Sequence, residues 1–141
     1  MPSIRDLLLG RELHQVQQDE TVAGVARRMA EWGVGAVPVF RGEHLLGVFS
    51  ERDLMKRVVL ERRDPESTLV GAVMTPDPAT IDEFATPEDA MEAMSAQSCR
   101  HLPVTHGSKV VGFLSMRDLM YWELMRKTDE LTYIRGYIQR S

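Results

Sequence analysis

The residues whose types and spacing could do chemistry are two serine–aspartate quartets, Ser50-Glu51-Arg52-Asp53 and Ser115-Met116-Arg117-Asp118. Each follows a glycine and two apolar residues, Gly47-Val48-Phe49 in one case and Gly112-Phe113-Leu114 in the other. A buried strand that runs into a helix at the serine would give this pattern. As local structure alone it is a capping box, with the serine hydroxyl accepting a backbone N–H of the first turn and the aspartate reaching back from the third position. The same corner suits a ligand. The first turn of a helix presents unpaired N–H groups and the positive end of a dipole, which attract phosphate. A hydroxyl can join that contact, and a carboxylate one turn in can accept from two vicinal hydroxyls, as an acidic residue does to ribose in dinucleotide folds. For a single quartet the cap is the simpler account. Two of them, Ser50 with Asp53 and Ser115 with Asp118, suit a ribose phosphate.

The elements that must hold these corners come in two copies. Sliding the sequence by 65 residues without a gap sets Thr21 on Thr86, Met29 on Met94, Gly42 on Gly107 and Gly47 on Gly112. From Pro38 to Met55, 9 of 18 positions are identical, whereas the helices before them match mainly in pattern. Two copies are too few for a solenoid and imply a pseudo-symmetric pair. In each, an apolar helical face (Val22, Val25, Ala26 and Met29; Ala90, Met91, Ala93 and Met94) is followed by two β-rich runs joined across a glycine. Those runs are Ala36 to Phe40 and Leu45 to Phe49, then Leu102 to Thr105 and Val110 to Leu114. Thr86-Pro87-Glu88-Asp89 starts a helix. Second helices are predicted from about Glu51 to Leu60 and from about Met116 to Lys127, and short strands around Val16 and Ile81. The fold class is α+β, strand-helix-strand-strand-helix twice: residues 1–62 form the first repeat, 63–68 a polar linker, 69–127 the second repeat. The tail, 128–141, carries Leu131, Ile134 and Ile138 and is predicted to be a last short helix.

The two copies resemble cystathionine-β-synthase (CBS) domains, and the tandem resembles a CBS pair, or Bateman module. The likeness rests on the apolar-Pro-Val run, the glycine hairpin and Gly-apolar-apolar-Ser-x-x-Asp-Leu, present twice, and on Arg100-His101-Leu102-Pro103-Val104. It covers about Ile4 to Lys127 and extends to small stand-alone CBS-pair proteins. The resemblance implies an adenosyl ligand in clefts between the repeats. It implies Asp53 and Asp118 on the ribose hydroxyls, and Ser50 and Ser115 beside ribose and phosphate. Backbone groups of Ala36 and Val37, and of His101 and Leu102, would read the adenine edge. Apolar side chains around Val16 and Ile81 would sandwich the base. The expected ligand is AMP, with NAD, ADP and ATP as competitors, and the expected role is a regulatory sensor acting on an unknown partner.

Charge separates the copies. Arg100-His101 stands where the first copy has Gly35-Ala36, and Lys56-Arg57 faces Tyr121-Trp122. Arginine suits phosphate, so Arg100, His101 and Lys56 are candidate phosphate groups; a solvated Arg100 and a strand-packed His101 are the structural alternatives. No HxxxH or HExxH spacing joins His14, His44, His101 and His106, and the single Cys99 completes no metal shell. With no nucleophile elbow and no Walker-type loop, neither an enzyme nor a metal site is expected. The excess of 21 Asp and Glu over 17 Lys and Arg gives −4 and argues against nucleic-acid and membrane-surface binding. With no apolar run near membrane length and no leader pattern, the cytoplasm is expected. Leu119, Met120, Trp122, Leu124 and Met125 make the last helix more apolar than a lone surface helix needs; a homodimer is expected. The competing reading is a ligand-free dimerisation scaffold whose quartets are only caps.

Overall fold

The computed structural model describes residues 2–140, with the side chains of residue 130 and residues 132–140 outside the description. Met1 and Ser141 also lie outside it. Each copy builds a small sheet from a hairpin with a short strand laid parallel beside it. In the first, β1 (Val16–Gln17) pairs with β2 (Ala36–Arg41), which pairs antiparallel with β3 (His44–Ser50). In the second, β5 (Ile81–Asp82) pairs with β6 (His101–His106) and β6 with β7 (Lys109–Ser115). The registers repeat at the same offset: Val16 lies beside Val39, and Ile81 beside Val104. Both hairpins slip register at the same place, after Val39 and after Val104. Both turn through a glycine, Gly42 at φ +62° and Gly107 at φ +61°, a conformation that side chains resist.

The long helices follow from their caps and apolar faces. The α2 helix (Val22–Trp32) buries Val22, Val25 and Met29 and stops at Gly33. The α5 helix (Pro87–Gln97) starts on the Thr86–Asp89 box and stops at Ser98, φ +51°. The residues read as a linker also serve α2: the carbonyls of Thr68 and Pro65 accept its first two N–H groups, from Val22 and Ala23, at 2.9 Å each. After β3 the chain forms α3 (Glu51–Asp53) and then widens into a π-helical turn over Leu54–Val59. Leu60 N donates to the Met55 carbonyl five residues back. The last helix, α6, runs unbroken over Met116–Arg140. The separate tail helix expected over 128–141 is therefore a continuation of α6, because Thr128-Asp129-Glu130 contains no breaker. Leu131 is exposed, and Ile134 and Ile138 lie among the side chains outside the description.

The sequential repeats are not the packing units. A one-turn helix precedes each copy and packs on the other. The α1 helix (Ile4–Leu7) puts Ile4 into the second core, among Ile81, Met94, Leu102, Val104, Leu114 and Leu119. The α4 helix (Val70–Val73) puts Val70 and Val73 into the first, among Val16, Val25, Val37, Val39, Phe49 and Val58. The anchoring bonds correspond: Ile4 N to Ala85 O and Arg5 N to Glu83 O, against Val70 N to Glu20 O and Gly71 N to Gln18 O. The repeats along the chain thus pack as two cores that each borrow one turn from the other repeat. Only the first copy gains a fourth strand this way, β4 (Thr75–Pro76) on β3.

That difference predicts unequal costs at equivalent glycines. A Cβ on Gly47 would lie 2.5 Å from the Thr75 carbonyl oxygen and 2.7 Å from Met74 Sδ. On Gly112 it would meet only Leu8 Cδ1 at 2.8 Å, the tip of a side chain that can turn away. Gly47→Ala should destabilise by about 2 kcal/mol or more and Gly112→Ala by less than about 1 kcal/mol, read by urea unfolding.

Candidate functional site

The two corners form as capping boxes, and each aspartate divides its oxygens between two duties. Oδ2 of Asp53 accepts from the Ser50 N–H at 2.9 Å and the Ser50 hydroxyl at 3.0 Å, while Ser50 Oγ accepts the Asp53 N–H at 3.2 Å. In the second copy Oδ2 of Asp118 accepts the Ser115 N–H at 2.8 Å, and Ser115 Oγ accepts the Asp118 N–H at 3.1 Å. The first amide of each helix is also occupied: Glu51 N donates to Gly35 O at 2.9 Å and Met116 N to Arg100 O at 2.8 Å. Neither corner offers its whole first turn to an anion. What remains is Oδ1. On Asp53 it accepts the Thr75 hydroxyl at 3.0 Å and stands 3.7 Å from Arg57 Nε. On Asp118 it pairs with Arg11 at 2.7 Å.

The two half-sites then differ in access. An open groove of about 1770 Å³ runs between the copies on the Asp118 side. The second copy contributes Arg100, His101, Phe113, Ser115 and Asp118; the first contributes Trp32, Gly35, Ala36 and Glu51, and the segment before β1 contributes Arg11 and His14. Neither Ser50 nor Asp53 lines it, and Asp53 is buried. The groove carries its own aromatic surface. His14 stacks on Trp32 with centroids 4.3 Å apart, the Arg28 guanidinium lies 4.7 Å from the Trp32 ring, and His101 stacks on Phe113 at 5.4 Å.

A groove between two sheet-and-helix copies, with a serine–aspartate corner facing it, is the arrangement the sequence pointed to, and comparison with known proteins agrees. The family description "CBS domain" matches residues 4–60 and again 70–125. The chain belongs to the CBS domain family. It is 32% identical over 128 residues to the CBS domain-containing protein CBSX3, mitochondrial, of Arabidopsis thaliana, covering 86% of this chain and 61% of that protein. It thus spans less than two thirds of that relative. Among solved structures, the CBS domain NE2398 superposes with a TM-score of 0.82 at 31% identity, over 87% of this chain and 98% of that one. The Pyrobaculum aerophilum CBS domain protein PAE2072, complexed with AMP, superposes at 0.75 with 26% identity, over 83% and 89%.

Within this CBS pair the expected site residues separate. Ser115, Asp118, Arg100, His101 and Ala36 share the groove, and Ala36 also pairs in register with Ser50 of the first corner. Val37 and Leu102 lie in the two cores, and neither lines the groove. Val16 and Ile81 are corrections: their side chains pack into the cores and do not line the groove, because each short strand joins its sheet with that face inward. Lys56 lies on the π-helical turn, exposed and outside the groove lining. Arg11, Thr75, Arg57, Glu51 and Trp32 went unread in the sequence. Thr75 and Arg11 carry no local signal, since the aspartates they meet are 22 and 107 positions away in the chain. Among the described residues no group of three His, Cys, Asp or Glu is placed to hold a metal, and no helix is long and apolar enough to cross a membrane.

The titration of His101, in the groove, is displaced. Burial pushes its imidazole below the usual 6.5; Asp118 and then Glu51 pull it back up, and Arg100 adds to the lowering. The unfolded chain therefore takes up this proton more readily than the folded one. Stability falls as pH drops below 6.5 toward the folded value, and nothing is lost above 6.5. His101→Gln should flatten the acid side of a stability-against-pH curve relative to the wild-type chain, measured by urea unfolding in steps through that range.

Proposed function

We propose that this CBS pair is a regulatory sensor that binds an adenine nucleotide in the Asp118 groove. AMP is the first candidate, with NAD, ADP and ATP competing for the same sugar and phosphate. The observation that carries the reading is Asp118 itself: one carboxylate oxygen closes the cap while the other reaches the groove, beside Ser115 and within a lining that also includes Arg100 and His101. Oδ1 is the acceptor a ribose diol would use. Arg100 and the Ser115 hydroxyl supply phosphate partners, and the apolar groove wall offers a face to the base. The AMP held by PAE2072 lends support from a related protein. The Asp53 half-site is the weaker candidate, because neither Ser50 nor Asp53 lines the groove.

The groove takes its lining from both copies, so a ligand there favours one relative arrangement over another. Binding shifts that population and with it the surface shown to a regulated protein. The proposal makes the chain a binder and not a catalyst. Titration calorimetry with AMP, ADP, ATP and NAD should give heat with at least one ligand at millimolar concentration. Asp118→Ala should lose about 1.5–3 kcal/mol of binding, more than tenfold, by removing a charge-assisted hydrogen bond. Asp53→Ala should leave that affinity within about threefold while lowering stability by about 1 kcal/mol for the lost cap. The scaffold reading draws on the fact that both quartets do cap. It requires equal, stability-only effects of the two substitutions and no thermal shift with any nucleotide.

The second copy of the chain is the partner proposed for α6. Met120, Tyr121 and Leu124 are each more than 60% exposed, and Met125 and Val111 add to them. Contiguous apolar surface of this kind marks association. Light scattering should find a dimer, and Leu124→Glu should shift it toward the monomer.

A further inference from the structure

The ion pair between Arg11 and Asp118 occupies the one oxygen that the nucleotide reading needs. Arg11 sits on the segment that crosses from α1, packed in the second core, to β1, in the first sheet. Its N–H donates to the Leu8 carbonyl at 3.0 Å, which ties the backbone down, while its side chain is half exposed and its partner carboxylate nearly buried. The equivalent oxygen in the other half-site accepts a neutral hydroxyl, from Thr75 at 3.0 Å, with the Arg57 guanidinium farther off at 3.7 Å. These two partners answer a ribose differently. A hydroxyl can shift its own hydrogen bond and share the carboxylate. A guanidinium must leave, and its departure parts a 2.7 Å ion pair whose carboxylate is nearly buried.

Resting on the nucleotide reading, we propose that Arg11 is a charge lock that sets specificity: it competes with the ribose diol for Asp118 Oδ1 and exchanges that oxygen for the phosphate of the ligand. The anchored backbone keeps the displaced guanidinium in the groove. The fixed anions there, Glu12, Glu51 and Glu123, are set against Arg100, Arg117 and Lys127. A ligand phosphate is the strong new partner, since a guanidinium binds its oxygens in a fork. A nucleoside opens the lock and gives nothing back. The groove therefore selects nucleotides over nucleosides at Asp118, through a residue of the crossing segment and not of the Ser-x-x-Asp corner. The same exchange pulls on the chain between α1 and β1, and so couples phosphate recognition to the contact between the copies.

Calorimetry with adenosine and with AMP, on the wild-type chain and Arg11→Gln, tests this. The neutral variant should bind adenosine about threefold or more tightly, because the competitor is gone, and AMP more weakly. Its preference for AMP over adenosine should fall by about tenfold. Parallel changes for the two ligands, or no change for either, overturn the lock and leave the nucleotide reading intact. A wild-type chain that binds neither AMP nor adenosine removes both.

Discussion

The structure turns on how one carboxylate is divided. At each corner the aspartate three residues past the serine gives Oδ2 to the start of the helix and keeps Oδ1 for something else. The first duty is not optional. A helix that begins where a strand ends leaves amides without partners, and the box closes two of them at once. Fixing Oδ2 fixes the rotamer, so the position of Oδ1 is set by the fold and not by any ligand. A cap and a ligand contact are therefore not rival accounts of the same residue. The cap is the means by which the second oxygen is aimed, and the two readings part only over what meets Oδ1.

What meets it comes from outside the copy. Thr75 follows α4, which belongs to the second stretch of chain but packs in the first core; Arg11 follows α1, which belongs to the first stretch but packs in the second. The exchange of one-turn helices does two things in consequence. It buries Ile4, Val70 and Val73, which short terminal segments could not bury alone, and it carries a polar residue from the borrowed segment onto each aspartate. Each half-site is then assembled by the same packing that joins the copies. A shift of one copy on the other moves the partner of Oδ1, which is the coupling a sensor of this design needs.

Much of this was legible. The 65-residue offset placed the hairpins, both long helices and the two corners, because those elements carry their own signals: apolar faces, a Thr-Pro-Glu-Asp start, a glycine in each turn. Family resemblance supplied a cleft with Asp118 and Ser115, and the charge difference between the copies supplied Arg100; all three line the groove. The failures have a common cause. Four-residue helices such as Ile4–Leu7 and Val70–Val73 are too short to show a period, and their partners lie in the other copy. They do match each other, Ile4 with Val70 and Leu7 with Val73, but at an offset of 66, so a gapless alignment passes over them. Val16 and Ile81 failed differently. A two-residue strand does not reveal which face is buried, and both of them point inward. The π-helical turn at Leu54–Val59 has no composition that separates it from an ordinary helix.

The copies agree at the corner and differ in residues set around it. Ser, Arg, Asp, Leu and Met recur at both strand-to-helix junctions, yet Gly35-Ala36 became Arg100-His101, and Met74-Thr75 stands against Leu8-Leu9. Folding explains the conserved half, since the cap is required twice. It does not explain the other, because either pair of residues would extend a strand or follow a one-turn helix. The Asp53 side is left with a hydroxyl and a neighbouring arginine around a buried carboxylate. The Asp118 side has a half-exposed guanidinium, a second arginine and a half-buried imidazole around a carboxylate that lines the groove. A duplicated frame thus holds one closed corner and one that lines the groove. The closed corner still contributes. Its bonds to Thr75 and Arg57, and the Arg57 bond to the Met74 carbonyl at 2.7 Å, pin α4 and β4 to the first copy.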